Sequence, residues 1–144
     1  MGERIRVGLI GRDGRMGRAA AHWIRETSDL QWVAGIGRGE DWGPLTEAQV
    51  VLELTQAGNG GTHGRRLLEM GLRPVVGTSG VNEAEVEGLD ALARELHLGG
   101  VVVPNFCALM ALVRQFAVAS SQLLSEVSIV EAHHVQKIDS PSGT

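Results

Sequence analysis

The densest chemistry in this 144-residue chain lies in residues 130–144, which read Val130-Glu131-Ala132-His133-His134-Val135-Gln136-Lys137-Ile138-Asp139-Ser140-Pro141-Ser142-Gly143-Thr144. Two adjacent imidazoles, a lysine and a turn of small hydroxyl-bearing residues share one short segment. An imidazole changes charge in the neutral range and is the usual general acid or base. Lys137 is a fixed cation for a carboxylate or, once desolvated, a proton donor. Ser142, Gly143 and Thr144 offer hydroxyls and backbone N–H groups that can form a small nest for an anion. His133 and His134 end a predicted strand over 127–131, so they point to opposite faces and must have different roles. That divergence also argues against a metal set of His133, His134 and Asp139, which no cysteine or third nearby histidine completes. Ser142 lacks the strand-elbow setting of a nucleophilic serine. The set points to proton transfer beside a bound anion, with no metal.

A second constellation lies near the start, at Gly11-Arg12-Asp13-Gly14-Arg15-Met16-Gly17. An apolar run over 5–10 leads in and a helical pattern over 18–26 leads out. Glycine at three-residue spacing lets the backbone turn tightly and lets its N–H groups approach a pyrophosphate, to which the helix N-terminus adds partial positive charge. The spacing is GxxGxxG rather than the commoner GxGxxG, and a plain βα turn is the alternative. Dinucleotide folds often place an acid after the second strand to bond the ribose hydroxyls. Here that place holds Gly37 and then Arg38. A guanidinium fork suits a 2′-phosphate, so the sequence leans to NADP(H) over NAD(H), a solvated loop charge being the alternative. Gly77, Thr78 and Ser79, and then Val103, Pro104, Asn105 and Phe106, follow later strands and bring hydroxyls, an amide and a ring toward the same cleft.

The elements that must position these groups alternate. Strands are predicted over 5–10, 30–36, 50–54, 74–76, 101–103 and 127–131, and helices over 18–26, 62–70, 82–98 and 107–124, with a polar loop over 37–46. Asn82 is placed to cap the third helix. Such alternation implies crossover units and an α/β fold: a doubly wound, Rossmann-like parallel sheet with helices on both faces. Its ligand-bearing turns fall at the carboxyl ends of the strands. Thirteen Lys and Arg against seventeen Asp and Glu give a net charge of -4, which argues against a general nucleic-acid or acidic-membrane binder. A single cysteine, Cys107, excludes an internal disulfide and fits a reducing compartment, so a cytoplasmic location is expected. The apolar stretch ending at Gly11 is too short for a secretion signal or a membrane span.

The string Glu131-Ala132-His133-His134-x-x-Lys137-x-Asp139-x-Pro141-Ser142-Gly143-Thr144 resembles the signature of the dihydrodipicolinate reductase (4-hydroxy-tetrahydrodipicolinate reductase) family of bacterial lysine and diaminopimelate biosynthesis. Gly11-x-x-Gly14-Arg15-Met16-Gly17-Arg18, Val76-Gly77-Thr78-Ser79-Gly80 and Pro104-Asn105-Phe106 resemble it too, in the same order. The resemblance implies an NAD(P)H-dependent reduction of a small dicarboxylic cyclic imine derivative. On it, His133 is the acid/base group and Lys137 the second proton donor, while His134 and the Ser142-Gly143-Thr144 turn bind the dicarboxylate. Gly11, Arg12, Asp13, Gly14, Arg15 and Met16 hold the pyrophosphate. Gly77, Thr78 and Ser79 flank the nicotinamide with Val103, Pro104, Asn105 and Phe106. The chain differs from the family pattern at Glu53-Leu54-Thr55 (usually Asp-Phe-Thr), at Ser79 (usually Thr) and at Cys107 (usually Ser).

Family members continue well past Ser-Gly-Thr. The resemblance therefore implies a dinucleotide-binding domain over 1–125, then over 126–144 only the first strand of an α+β substrate-binding and tetramerisation domain. A homo-oligomer, tetrameric in the family, is the implied assembly. Two rivals remain: a nucleotide-binding or assembly module without turnover, and another Rossmann oxidoreductase such as an amino-acid dehydrogenase.

Overall fold

The computed structural model of the chain describes residues 2–130 and 132. Its elements run β1 (Ile5–Ile10), α1 (Arg15–Glu26), β2 (Leu30–Ile36), a short 3-10 helix (Gly43–Glu47), β3 (Val50–Glu53), α2 (Gly60–Glu69), β4 (Arg73–Val76), α3 (Glu83–Glu95), β5 (Val101–Val102) and α4 (Ala108–Ser121). The five strands form one parallel sheet in the order β2-β1-β3-β4-β5. The chain moves outward from β1 to β2, then crosses back and proceeds through β3, β4 and β5. The order therefore reverses between β1 and β3, and a crevice opens at the carboxyl ends of that pair.

Alternation along β1 sorts the two faces. Leu9 points to the side where Ala21 of α1 and Leu54 pack with it. Ile10 points to the other side and joins Ile36, Trp42, Leu45, Val51, Leu67 and Leu72. Gly8 faces the same way, and a Cβ there would meet the Leu45 side chain of the 3-10 helix at 2.6 Å. Leu9, Leu45 and Leu67 are fully buried, and each contributes about 1.5–3 kcal/mol of transfer free energy. Helix α3 adds a further layer by setting Leu89 and Ala93, one turn apart, against Leu68 of α2. Its start is fixed as expected: the Asn82 side chain accepts from Glu85 N–H and the Glu85 carboxylate accepts from Asn82 N–H, a complete capping box.

Three expectations are corrected. The stretch expected as a polar loop over 37–46 contains the 3-10 helix and buries Trp42 and Leu45 in the core. Helix α1 begins at Arg15 rather than at residue 18, so Arg15 and Met16 belong to its first turn, not to the loop before it. The strand expected over 127–131 is absent from its described part: residues 127–130 are in no regular element, and Val127, Ile129 and Val130 are exposed. Apolar β-prone residues record only a segment's own preference, and a strand exists only where another edge takes up its N–H and C=O groups. Helix α4 forms close to its expected span but buries none of its residues. Among the described residues, no helix is long and apolar enough to cross a membrane.

Candidate functional site

The crevice between β1 and β3 is an open cleft of ≈ 540 Å³. Its base is the glycine turn. Gly11 N–H donates to Ile36 O (2.9 Å) and Gly14 N–H to Gly11 O (3.1 Å), which folds the turn over the ends of β1 and β2. Gly11 has φ +90, and a Cβ on it would run into the Leu54 carbonyl. A Cβ on Gly17 would collide with the Gly11 carbonyl. Both positions need glycine, because only a missing side chain lets α1 start flush against the strand ends. Gly14 is the N-cap of α1 and no side-chain bond closes that end. Gly11, Asp13 and Gly14 bring the positive end of the helix dipole to the edge of the cleft, a setting for phosphate.

The far wall comes from β3 and α2. Glu53, the last residue of β3, is completely buried. Its Oε1 accepts from His63 Nδ1 (3.0 Å), from Thr55 Oγ1 and from the Thr55 amide (3.3 Å). Its Oε2 has no hydrogen-bond partner among the described residues. The Thr55 amide also donates to Thr78 Oγ1 at 2.8 Å, which ties the end of β3 to the end of β4. The His63 ring meets the Trp42 ring edge-on, with centroids 5.1 Å apart. The Arg66 guanidinium lies 4.1 Å from the Trp42 ring centre. These contacts set an aromatic edge, an imidazole and the Thr55 hydroxyl on the cleft wall.

Of the residues expected to hold a cofactor, Gly11, Asp13, Gly14 and Arg38 line the cleft. Arg12 does not. Its guanidinium is drawn to the Gly35 carbonyl, Asp13 and Glu40. Arg15 and Met16 lie in the first turn of α1, outside the cleft lining. Gly77, Thr78 and Ser79 continue the same sheet edge beyond β3, with Gly77 N–H bonded to Glu53 O (2.9 Å) and Gly58 N–H to Ser79 O (3.3 Å). Thr78 is buried and its hydroxyl is engaged by Thr55, so it braces the edge. Val103 N–H bonds Val76 O (2.7 Å), and the Phe106 ring sits where a Cβ on Gly77 would be. Asn105 Oδ1 accepts from Cys107 N–H, and Pro104 lies in the same turn. The two turns therefore meet. His133, His134, Lys137, Ser142, Gly143 and Thr144 lie outside the described residues. Among the described residues, no group of three His, Cys, Asp or Glu can hold a metal ion.

Sequence reasoning missed Trp42, His63, Glu40 and the buried role of Glu53. One signal was available for Glu53: a lone acid in the run Val50-Val51-Leu52-Glu53-Leu54 must be buried if that run is a central strand, and a buried carboxylate needs partners.

Comparison with known proteins agrees with this fold. The family model described as "Dihydrodipicolinate reductase, N-terminus" matches residues 5–49 and 42–106. The chain is 36% identical over 144 residues to the 4-hydroxy-tetrahydrodipicolinate reductase of Legionella pneumophila (strain Lens), covering 98% of this chain and 59% of that protein. It is 36% identical over 143 residues to the reductase of the same name from Coxiella burnetii (strain Dugway 5J108-111), covering 97% of this chain and 60% of the relative. The chain thus spans about three-fifths of the length of these relatives. Among solved structures, the dipicolinate-bound dihydrodipicolinate reductase from Paenisporosarcina sp. TG-14 superposes with a TM-score of 0.76 at 30% identity, covering 97% of this chain and 62% of the other. Biliverdin reductase from Synechocystis sp. PCC 6803 shares the fold, with a TM-score of 0.63 at 21% identity over 82% of this chain and 42% of its own. The uncapped α1 terminus, its glycine turn and the reversal of strand order are those of a pyridine-nucleotide oxidoreductase fold, and the chain belongs to the dihydrodipicolinate reductase family, of which it carries the N-terminal part.

Proposed function

We propose that this chain supplies the dinucleotide-binding part, and the start of the substrate-binding part, of an NAD(P)H-dependent reductase acting on 4-hydroxy-tetrahydrodipicolinate in lysine and diaminopimelate biosynthesis. The observation that carries the proposal is the cleft at the β1–β3 reversal, where two obligate glycines hold an uncapped helix N-terminus against the strand ends. The substrate is suggested by the names of the relatives, and the dicarboxylate by the dipicolinate in the related structure.

In this reading the first-turn amides of α1, with Gly11 and Gly14, hold the pyrophosphate. The adenosine end lies between Arg38 and the Trp42–His63 wall. Gly77, Ser79 and the residue 103–106 turn border the nicotinamide end. The bound nucleotide supplies the hydride. His133 supplies or takes the proton, Lys137 is the second donor, and His134 with the Ser142-Gly143-Thr144 turn holds the carboxylates. A substrate that gains negative charge needs a proton source at hand, and a dianion needs cations and N–H donors. Arg38 offers a guanidinium for a 2′-phosphate, while Asp13 and Glu40 offer carboxylates for a free ribose hydroxyl, so both nucleotide forms fall within the proposal. The domain division near residue 125, a homo-oligomeric assembly and a cytoplasmic location are part of the same reading.

The test has two arms: titration of the chain with reduced nucleotide, followed by tryptophan fluorescence, and turnover followed by loss of reduced-nicotinamide absorbance in a protein of the relatives' full length. His133→Gln in that protein is expected to lower kcat by about two to four decades with nucleotide affinity kept. An unchanged kcat would remove His133 from the mechanism. Failure of the chain to bind either nucleotide would overturn the whole reading. Binding with no turnover in the full-length protein would favour a nucleotide-binding module.

A further inference from the structure

The end of β2 carries an acid that the linear sequence hides. Dinucleotide folds often put a carboxylate side chain on the residue after this strand, where it meets the ribose. Here that residue is Gly37. The space its side chain would fill is already occupied: a Cβ on Gly37 would run into Asp13 Oδ2, and Glu40 Oε1 lies 3.2 Å from the same point. Glu40 folds back over the turn to get there. Its Oε2 accepts the Gly37 N–H at 2.9 Å, and its Oε1 pairs with Arg12 Nη2. Arg12 is itself anchored, with Nη1–H donating to Gly35 O and Nε lying 3.4 Å from Asp13 Oδ1. One guanidinium and one amide thus fix two carboxylates at the spot left open by the missing side chain. Asp13 lines the cleft together with Gly37 and Arg38.

We propose that Asp13 and Glu40 together replace the missing acid, read the free 2′-hydroxyl of the adenosine ribose and make this chain select NADH over NADPH. The proposal rests on the nucleotide-binding reading and gives it a direction opposite to the one that Arg38 alone suggests. Ionised carboxylates only accept hydrogen bonds, so they match a ribose hydroxyl and oppose a phosphate. The Arg12 charge is spent on the two acids, which leaves that trio with one net negative charge. Arg38 makes no ion pair among the described residues and offsets that charge before any phosphate arrives, while the neighbouring Arg18 guanidinium is held on the Asp13 main-chain carbonyl. The side chains of Asp13 and Glu40 are 71% and 42% exposed. Solvent therefore screens the repulsion, and the selectivity expected is modest, about tenfold.

The deciding measurement is the dissociation constant of this chain for NADH and for NADPH, with 5′-AMP and 2′,5′-ADP as fragments that report the ribose corner alone. NADH is expected to bind about tenfold more tightly than NADPH, and 5′-AMP more tightly than 2′,5′-ADP. Glu40→Gln keeps an oxygen for the Gly37 amide, and Asp13→Asn changes an exposed side chain, so both variants should fold, as a thermal melt will check. Each should shrink the ratio, chiefly by tightening NADPH, and the pair together should bring it to one or below. An NADPH affinity equal to or above that for NADH in the unaltered chain overturns the proposal. So does a ratio that neither substitution moves. Failure to bind either nucleotide is a separate outcome that removes the nucleotide reading along with this one.

Discussion

The buried pair of Glu53 and His63 offers the sharpest test of how the cleft wall is held. Glu53 has no solvent exposure, and three donors converge on its Oε1: His63 Nδ1 at 3.0 Å, the Thr55 hydroxyl and the Thr55 amide. Replacing His63 by Leu removes one of these donors. A buried carboxylate stripped of its partner costs about 3–5 kcal/mol, and a hydrogen bond to a charged group is worth about 1.5–3 kcal/mol. The His63 side chain is 23% exposed, so water can reach part of the gap and the lower range applies. We expect His63→Leu to cost about 2–3 kcal/mol, and Glu53→Gln, which keeps an oxygen for Thr55, to cost about 1–2 kcal/mol. In urea, with a slope near 2 kcal/mol per molar, the first change lowers the midpoint by about 1–1.5 M. The double variant should lose less than the two single losses added together, by more than about 0.5 kcal/mol, the limit of ordinary additivity. Losses that simply add, or a His63→Leu midpoint equal to that of the unaltered chain, would show that the imidazole and the carboxylate do not act as a pair.

Other substitutions probe the neighbouring parts. Gly17→Ala drives a methyl into the Gly11 carbonyl, and overpacking of this kind costs about 1–3 kcal/mol. A lowered Tm together with weakened nucleotide binding is expected, and an unchanged Tm would mean that α1 does not sit flush on the turn. Thr78→Val leaves the Thr55 amide with only the longer bond to Glu53, at a cost of about 1 kcal/mol in urea unfolding. Thr78→Ser restores the acceptor and should recover most of that loss. Phe116→Ser on α4, whose ring is 74% exposed, should change stability by no more than about 0.5 kcal/mol. A larger loss would place that ring in a packed contact.

Much of the fold was legible because its signals are local. The apolar run over 5–10, Asn82 with Glu85, and the glycine spacing from Gly11 to Gly17 each specify an element through backbone conformation or a hydrogen bond within a few residues. Strand alternation then implied the parallel sheet, and the position of the turns implied which edge carries the ligand. The segment over 127–130 was misread for the complementary reason: β-propensity belongs to the residues, whereas pairing belongs to whatever lies beside them.

Sequence by itself determined the alternation of five strands and four helices between residues 5 and 124, the place of the glycine turn, and the family. Tertiary structure alone decided which charges meet. Glu40 lies 28 residues from Arg12, and Glu53 ten from His63, yet each pair is in contact. Side chains reach past the local backbone, so their partners depend on the reversal of strand order between β1 and β3 and on the fold-back of the turn after β2. Linear spacing records neither.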